Sequence, residues 1–569
     1  MKKLNKFKRT FPSLAVSVAL GAMTFSSAHA AEEALPASGD FNYAVSGYVR
    51  GWVSMNLENQ SELKSKNQLP NLFGPVKAKK IDYDSAGKLS MVRGSILVDN
   101  DASWNGIKFK AIARLDREYK TGYLQKLEEL RQTGLVPTNG GKSITDNYNN
   151  FDFREFWVEA PIGDRVTVKF GRQQLVWGES DFFHAMDVVH GYDLSWRLFF
   201  EGENEEWRKP LILLSTKIRV PEANGLIAAY VRPGIDRCKD IGNTYDTGGG
   251  RWFFAPYRGF DATRINPIDC DTPGAKQHTP TYGIRWQGEY EGINYSFAYL
   301  KAAAADPVLN PNTPGKSFNN HLPTRSGFGG LVSSNQPGQP TGDVNFLVSN
   351  LIHPNIDVLG VTASGYSEAL DAVLSTEFAY IIDQPYNIGL GAFNPAGLGT
   401  TNGGIATGTP AGIGLDGIKL KDVIVGMVRA DKNLHFENIL GTTRPSFSSV
   451  QLFSTQILDF KRSDNLARLF FWGSRLSSNN SILTAFTVLN YRNDEINPGF
   501  AIGFDLNHGG GFAIPSVSMT FGDKWLAKVE ADIFWDSNSN RKQFSGESSQ
   551  LFGYFSGASQ LALRVTRQF

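Results

Sequence analysis

Residues 525–535 read Trp-Leu-Ala-Lys-Val-Glu-Ala-Asp-Ile-Phe-Trp. Trp525, Ala527, Val529, Ala531, Ile533 and Trp535 fall on one side of an extended chain, and Lys528, Glu530 and Asp532 on the other. A period of two is the mark of a β-strand with two unlike faces. The tryptophans bracket the apolar face. At ~3.3 Å per residue they stand about 33 Å apart, and a strand tilt of roughly 40° projects this to about 25 Å, the height of the apolar band of a membrane barrel. Trp525 and Trp535 are therefore expected in an aromatic girdle, with the charged face turned to a lumen.

The same alternation recurs outward along the chain, in 107–116, 165–170 and 282–289. It nominates Lys108, Lys110, Arg114, Arg165, Lys169, Arg285, Glu377, Lys528, Glu530 and Asp532 as the lumen wall. A soluble sandwich alternates too, so the connectors must decide. Asn105-Gly106, Gly163-Asp164, Asn224-Gly225, Glu291-Gly292 and Gly522-Asp523 each lie between two alternating runs and suit tight hairpin turns. Between them run long polar stretches, 118–150, 172–209, 233–280 and 301–354, and a further one spans 383–418. Short turns taking turns with long loops is the rhythm of an outer-membrane barrel, with the long loops outside the cell. The expected fold is all-β: a transmembrane antiparallel β-barrel of roughly 16–20 strands with long extracellular loops.

Both ends of the chain agree with export. Lys2, Lys3, Lys6, Lys8 and Arg9 precede the apolar run Phe11–Phe25 and the Ala28-His29-Ala30 cleavage pattern, so 1–30 reads as a signal peptide and 31–569 as one barrel domain. Leu561, Leu563, Val565 and Phe569 share one face of a last strand, resembling the signal that barrel-assembly machinery reads; Arg567 departs from it. The whole chain has 57 Lys+Arg against 56 Asp+Glu, and removing the five leader cations leaves 52 against 56. A weakly acidic mature chain excludes nucleic acid as a partner, since that needs a basic face. Cys238 and Cys270 are the two cysteines, and their Pro/Gly/Asp-rich surroundings read as a loop disulfide in an oxidising compartment.

The segment 171–209 stands where the rhythm demands a loop, yet it is rich in aromatic and apolar residues. Read as a helix over 179–190, it aligns Phe182, Phe183, Met186 and Val189 on one stripe. Such a stripe is expected to fold inward and constrict the lumen, with Trp177, Glu179, Asp181, His184, Asp187 and His190 at the constriction. Three readings of its polar groups compete. Asp181, His184, Asp187 and His190 offer metal-ligand chemistry, although a spacing of three drifts around a helix. Ser180 with His184 and an Asp offers a hydrolase constellation, without the G-x-S-x-G context. In the third, these groups pair with basic residues of the wall and fix the constriction in place. Tyr123–Gly134, with Leu124, Leu127 and Leu130, reads as a helix on the barrel rim, and Asp99-Asn100-Asp101 as a polar turn.

The runs GRQQLVWGES (171–180), AMDVV (185–189) and WRKPL (207–211) resemble the bacterial "domain of unknown function 1302" family. The resemblance implies an outer-membrane β-barrel and, through the lipid-type exporters encoded beside such proteins, movement of a hydrophobic molecule across the envelope. The sequence thus reads as an outer-membrane channel or transport component for small solutes, hydrophobic or lipid-like ones included, without a cofactor or enzymatic activity. Its partners would be outer-membrane lipid, the assembly machinery, and periplasmic or inner-membrane transport components. A membrane-embedded lipid hydrolase and a secreted soluble β-protein are the alternatives.

Overall fold

The structure, a computed structural model, describes residues 41–59, 85–132, 143–180, 183–197, 204–245, 278–310, 350–388, 399–400, 406–407, 417–464, 466–467, 476–535, 552, 555 and 558–569. Residues 1–30, read above as a signal peptide, lie outside these.

Eighteen strands follow one another around a closed sheet. The first six are β1 (Asn42–Asn56), β2 (Leu89–Trp104), β3 (Ile107–Glu118), β4 (Asn150–Ile162), β5 (Val166–Gln173) and β6 (Leu211–Val220). Then come β7 (Gly225–Arg232), β8 (Thr281–Tyr290), β9 (Ile293–Ala303), β10 (Asn355–Ser367), β11 (Ala372–Ile388) and β12 (Gly417–Leu434). The last six are β13 (Ser446–Ile457), β14 (Asn479–Val488), β15 (Ile496–Asp505), β16 (Gly511–Phe521), β17 (Trp525–Trp535) and β18 (Gln560–Gln568). Each pairs antiparallel with its successor, and β18 returns to β1 from Tyr48↔Gln568 to Asn56↔Gln560. Eighteen falls within the expected range.

The turns dictate the order. Asn105 and Gly106 have φ of 49° and 78°, and Glu291 and Gly292 repeat those values, the doubly left-handed backbone of a type I′ hairpin. All five turn pairs read from the sequence join neighbouring strands. The long connections, such as 119–149, 174–210, 233–280 and 304–354, gather at the opposite end. Two connections break the rhythm: 506–510 is short at the long-loop end, and 435–445 is long at the tight-turn end.

The faces are inverted relative to a soluble protein. Phe109, Phe156, Phe170, Ile284, Phe297 and Phe378 stand exposed on the outer surface, while Arg114, Glu377, Lys528, Glu530 and Asp532 are buried inside. An apolar belt of this extent suits lipid, not water, and argues against a secreted soluble protein. No described helix is long and apolar enough to cross a membrane; the crossing is made by strands. Trp525 and Trp535 sit partly exposed at the two ends of β17. The Arg567 guanidinium lies 5.6 Å from the Trp525 ring centroid, which gives this departure from an apolar terminal pattern a partner. Phe569 exchanges backbone hydrogen bonds with Gly47 at 3.0 and 3.1 Å. Its ring lies 2.9 Å from where a Gly47 Cβ would stand.

Two sequence expectations are corrected here. Arg165 is not on the lumen wall: it occupies the tight turn after β4, exposed, and pairs with Glu222 of the next turn at 2.7 Å. The alternation in sequence runs one residue beyond the strand, which starts at Val166. Asp99 and Asp101 form no turn; both lie in β2, and both carboxylates pair with Lys110 of β3, at 3.0 and 2.9 Å. A lumen-facing acid is as much at home in such a strand as in a loop.

Candidate functional site

The connection 174–210 turns into the barrel after β5. Trp177, Met186, Val188 and Val189 are buried against an apolar stretch of inner wall that includes Leu213, Leu300, Val358 and Ala379. Trp177 meets Tyr230 edge-on, with centroids 5.3 Å apart. Where the loop crosses, the wall is stripped of bulk: Ala298, Gly360 and Ala379 are register partners on three adjacent strands. A Cβ on Gly360 would lie 1.5 Å from the Met186 sulfur, so only glycine lets the loop lie this close.

The expected helix over 179–190 does not form; the described part of the segment is irregular. Its backbone is committed elsewhere. The Glu377 carboxylate accepts the N–H groups of Glu179 at 2.6 Å, Ala185 at 3.1 Å and Met186. Donors spent on a wall carboxylate do not build a helical ladder. The anticipated stripe therefore splays. Phe183 packs edge-on against Phe453 at 5.1 Å, Met186 sits over Gly360, and Val189 joins the apolar wall. Asp181 and Phe182 lie outside the described residues.

Asp187, Tyr192, Arg208 and His184 of the segment form one buried cluster. Tyr192 Oη donates to Asp187 Oδ2 at 2.7 Å, and Arg208 donates to the same oxygen. The His184 ring stacks on Tyr192, with centroids 4.5 Å apart and planes 5° from parallel. Burial alone would raise the Asp187 carboxyl, but the Arg208 guanidinium outweighs it and holds Asp187 below the usual carboxylate range. Burial pushes His184 down to about 4. His190 falls to about 3, again through burial, with Arg208 adding to it. The hydrogen bonds agree: His190 Nε2 accepts the Leu175 N–H at 2.8 Å, and Nδ1 donates to the Lys209 carbonyl at 2.9 Å, a neutral ring with both nitrogens used.

This geometry corrects the remaining readings. His190 has no lone pair to offer a metal, and among the described residues no group of three His, Cys, Asp or Glu side chains converges on one. Ser180 Oγ is buried without a hydrogen-bond partner, so no base activates it. Asp187 pairs with Arg208 of its own connection, not with a wall cation. The wall supplies both acids and cations to the segment. Arg197, fully buried, donates to Glu530 and, at 3.1 Å, to Asp532; Lys528 Nζ stands 2.5 Å from Glu530, and Gln560 donates to Asp532 at 2.7 Å. Glu206 takes Arg50 at 2.6 Å and Tyr48 at 3.0 Å, and Arg154 donates to the Arg208 carbonyl at 2.7 Å.

Arg197 and Glu206 belong to no motif, and Arg208 stands in the run WRKPL (207–211) with no role read from it. Their signal was compositional: ions among tryptophans in a stretch that should have been a bland loop. Among the wall residues, Lys108 lies opposite Glu159 in register, Lys169 pairs with Glu159 at 3.2 Å, and Arg114 pairs with Asp116 at 3.0 Å. Arg285 reaches Glu179 at 3.8 Å. The rim helix exists as α1 (Gly122–Gln132), and its buried Tyr123, Leu124 and Leu127 join Trp196 and Trp207 of the loop. Cys238 is disulfide-bonded and Cys270 lies outside the described residues.

Lipid-compatible outside, ionic inside and crossed by a fitted loop, the fold defines a transmembrane β-barrel with an internal constriction. The chain belongs to the family described as "Protein of unknown function (DUF1302)", which matches residues 11–569. No curated protein matches it. Solved structures that resemble it include the outer membrane channel DcaP of Acinetobacter baumannii, at 9% identity and a TM-score of 0.36, covering 93% of this chain and 97% of that one. OpdK of Pseudomonas aeruginosa with vanillate gives 7% identity and 0.42, covering 93% and 98%. OccAB3 of A. baumannii gives 7% and 0.43, covering 93% and 99%.

Proposed function

We propose that the protein is an outer-membrane channel of a Gram-negative bacterium that passes small solutes, hydrophobic or lipid-like ones included, past the loop 174–210. One observation carries the reading: the loop crosses a closed, ion-lined lumen and is fastened there by a handful of wall carboxylates, Glu377, Glu530 and Asp532. A barrel needs no such fastening merely to stand in a membrane, since its strand ladder is complete without it. Purified full-length protein is expected to migrate heat-modifiably and to give discrete conductance steps in planar bilayers. A variant lacking 179–190 is expected to conduct several-fold more. Identical conductance in the two would remove the loop from the pathway, and a silent wild type would remove the channel.

A further inference from the structure

The loop brings the Glu179 carboxylate to the wall guanidinium of Arg285, and the two do not close on one another. Arg285 of β8 is buried, and among the described residues its ion-pair partner is Glu179, with Nη2 to Oε1 at 3.8 Å, too long for a hydrogen-bonded pair. Arg285 Nε is buried with no hydrogen-bond partner. The other acid nearby, Glu377, has both oxygens engaged by loop N–H groups. Arg429 of β12 donates Nε to Asp431 at 2.8 Å and Nη1 to the Glu179 carbonyl at 3.2 Å. The Glu179 side chain is 38% exposed, so the lumen reaches it. A guanidinium offers five donors in a fork that matches a carboxylate. Arg285 holds that fork beneath the tip and receives one loose contact.

Aromatic rings flank this fork. Trp177 passes over Gly283, two residues from Arg285 on the same face of β8, 3.0 Å from where a Cβ would stand. On the other side the half-buried Phe183 ring leans on Phe453 of β13, the strand beside Arg429. An organic acid with a small apolar body meets a cation and aromatic surface together here.

Resting on the channel reading, we propose that Arg285, with Arg429 alongside, is a carboxylate-binding point for small apolar organic acids. Glu179 is its tethered occupant, displaced when a solute carboxylate arrives.

The test is calorimetric binding of benzoate, and of the uncharged benzamide, to the full-length protein in detergent. Benzoate binds wild type at least tenfold more tightly than benzamide does. Glu179→Gln removes the competitor and tightens benzoate at least fivefold. Arg285→Gln weakens it at least tenfold while heat-modifiable migration shows the barrel intact, and Arg285→Lys falls between. Equal binding of the two probes, no benzoate binding by either wild type or Glu179→Gln, or full binding by a folded Arg285→Gln overturns the site. Bilayer conductance separates the two claims. A protein that binds benzoate and never conducts keeps the site and loses the channel; one that conducts and ignores benzoate does the reverse.

Discussion

The two sides of the inner wall hold the same loop by opposite means. Across β6–β13 the loop's apolar side chains meet an apolar stretch of wall, and Trp177, Met186, Val188 and Val189 press into it as into a protein core, while Glu377 there holds loop backbone N–H groups. Across β17, β18 and β1 the wall is ionic, and Arg197 enters between Glu530 and Asp532, with its guanidinium carbon 5.0 Å above the Trp52 ring. Apolar contact is adaptable and weakly directional; a buried ion pair is rigid and fails outright when one member is lost. One side lets the loop settle, and the other fixes where it settles.

That contrast can be broken from the ionic side first. Arg197→Ala leaves Glu530 and Asp532 facing one another with Lys528 as their nearest cation. Losing one member of a buried pair costs about 3–5 kcal/mol. Limited proteolysis of 174–210 in reconstituted protein is expected to accelerate by orders of magnitude, while the barrel keeps its heat-modifiable migration. Met186→Ala attacks the apolar side. Met-to-Ala truncations in cores cost about 2–5 kcal/mol, and the small wall at Gly360 lets the loop collapse partly into the gap, which places this variant at the lower end. The same protease assay would rank it below Arg197→Ala; the reverse order would contradict the division of labour.

Acidification gives a smaller and graded effect. His184 and His190 are held at about 4 and about 3 when docked, below the ~6.5 of a free imidazole. The undocked loop therefore takes up protons first. Docking is at full strength above pH 6.5 and weakens as the pH falls toward 4, by about 0.8 kcal/mol per histidine already at pH 6. Loop opening, read as proteolysis or conductance noise, should rise from pH 7.5 to pH 6; a quieter loop at pH 6 would show that the histidines are not the titrating groups. The smallest effect is assigned to Arg165→Ala, whose exposed turn lies far from the loop. Conductance and protease resistance are expected to match wild type, and a measurable change would restore Arg165 to the wall.

The barrel was legible because its rules are local. A period of two names the faces, and an Asn-Gly pair forces the turn whatever surrounds it. The loop was legible only as an anomaly. Nothing in residues 179–190 announces that Glu377, almost two hundred positions later, takes three of its N–H groups, so the apolar spacing there suits a helix that does not form. Arg197 is hidden likewise, because its partners Glu530 and Asp532, across the lumen, leave no mark on its own neighbourhood. The β4 register shift opposite Ile112/Ala113, which changes strand parity beside Arg154, has no turn residue to betray it.

Nearest-neighbour pairing has a consequence in time. Every seam but one joins strands adjacent in sequence, while the last joins residues such as Arg50 and Thr566, 516 positions apart. That seam waits for the C-terminal strand. Arg197 must wait too, because its acids lie 333 and 335 positions downstream. The loop is therefore locked only once the wall is almost complete, and its lock serves as a receipt for finished assembly. A chain stalled before β17 would carry an unfastened loop, a difference that quality control at the membrane could read directly.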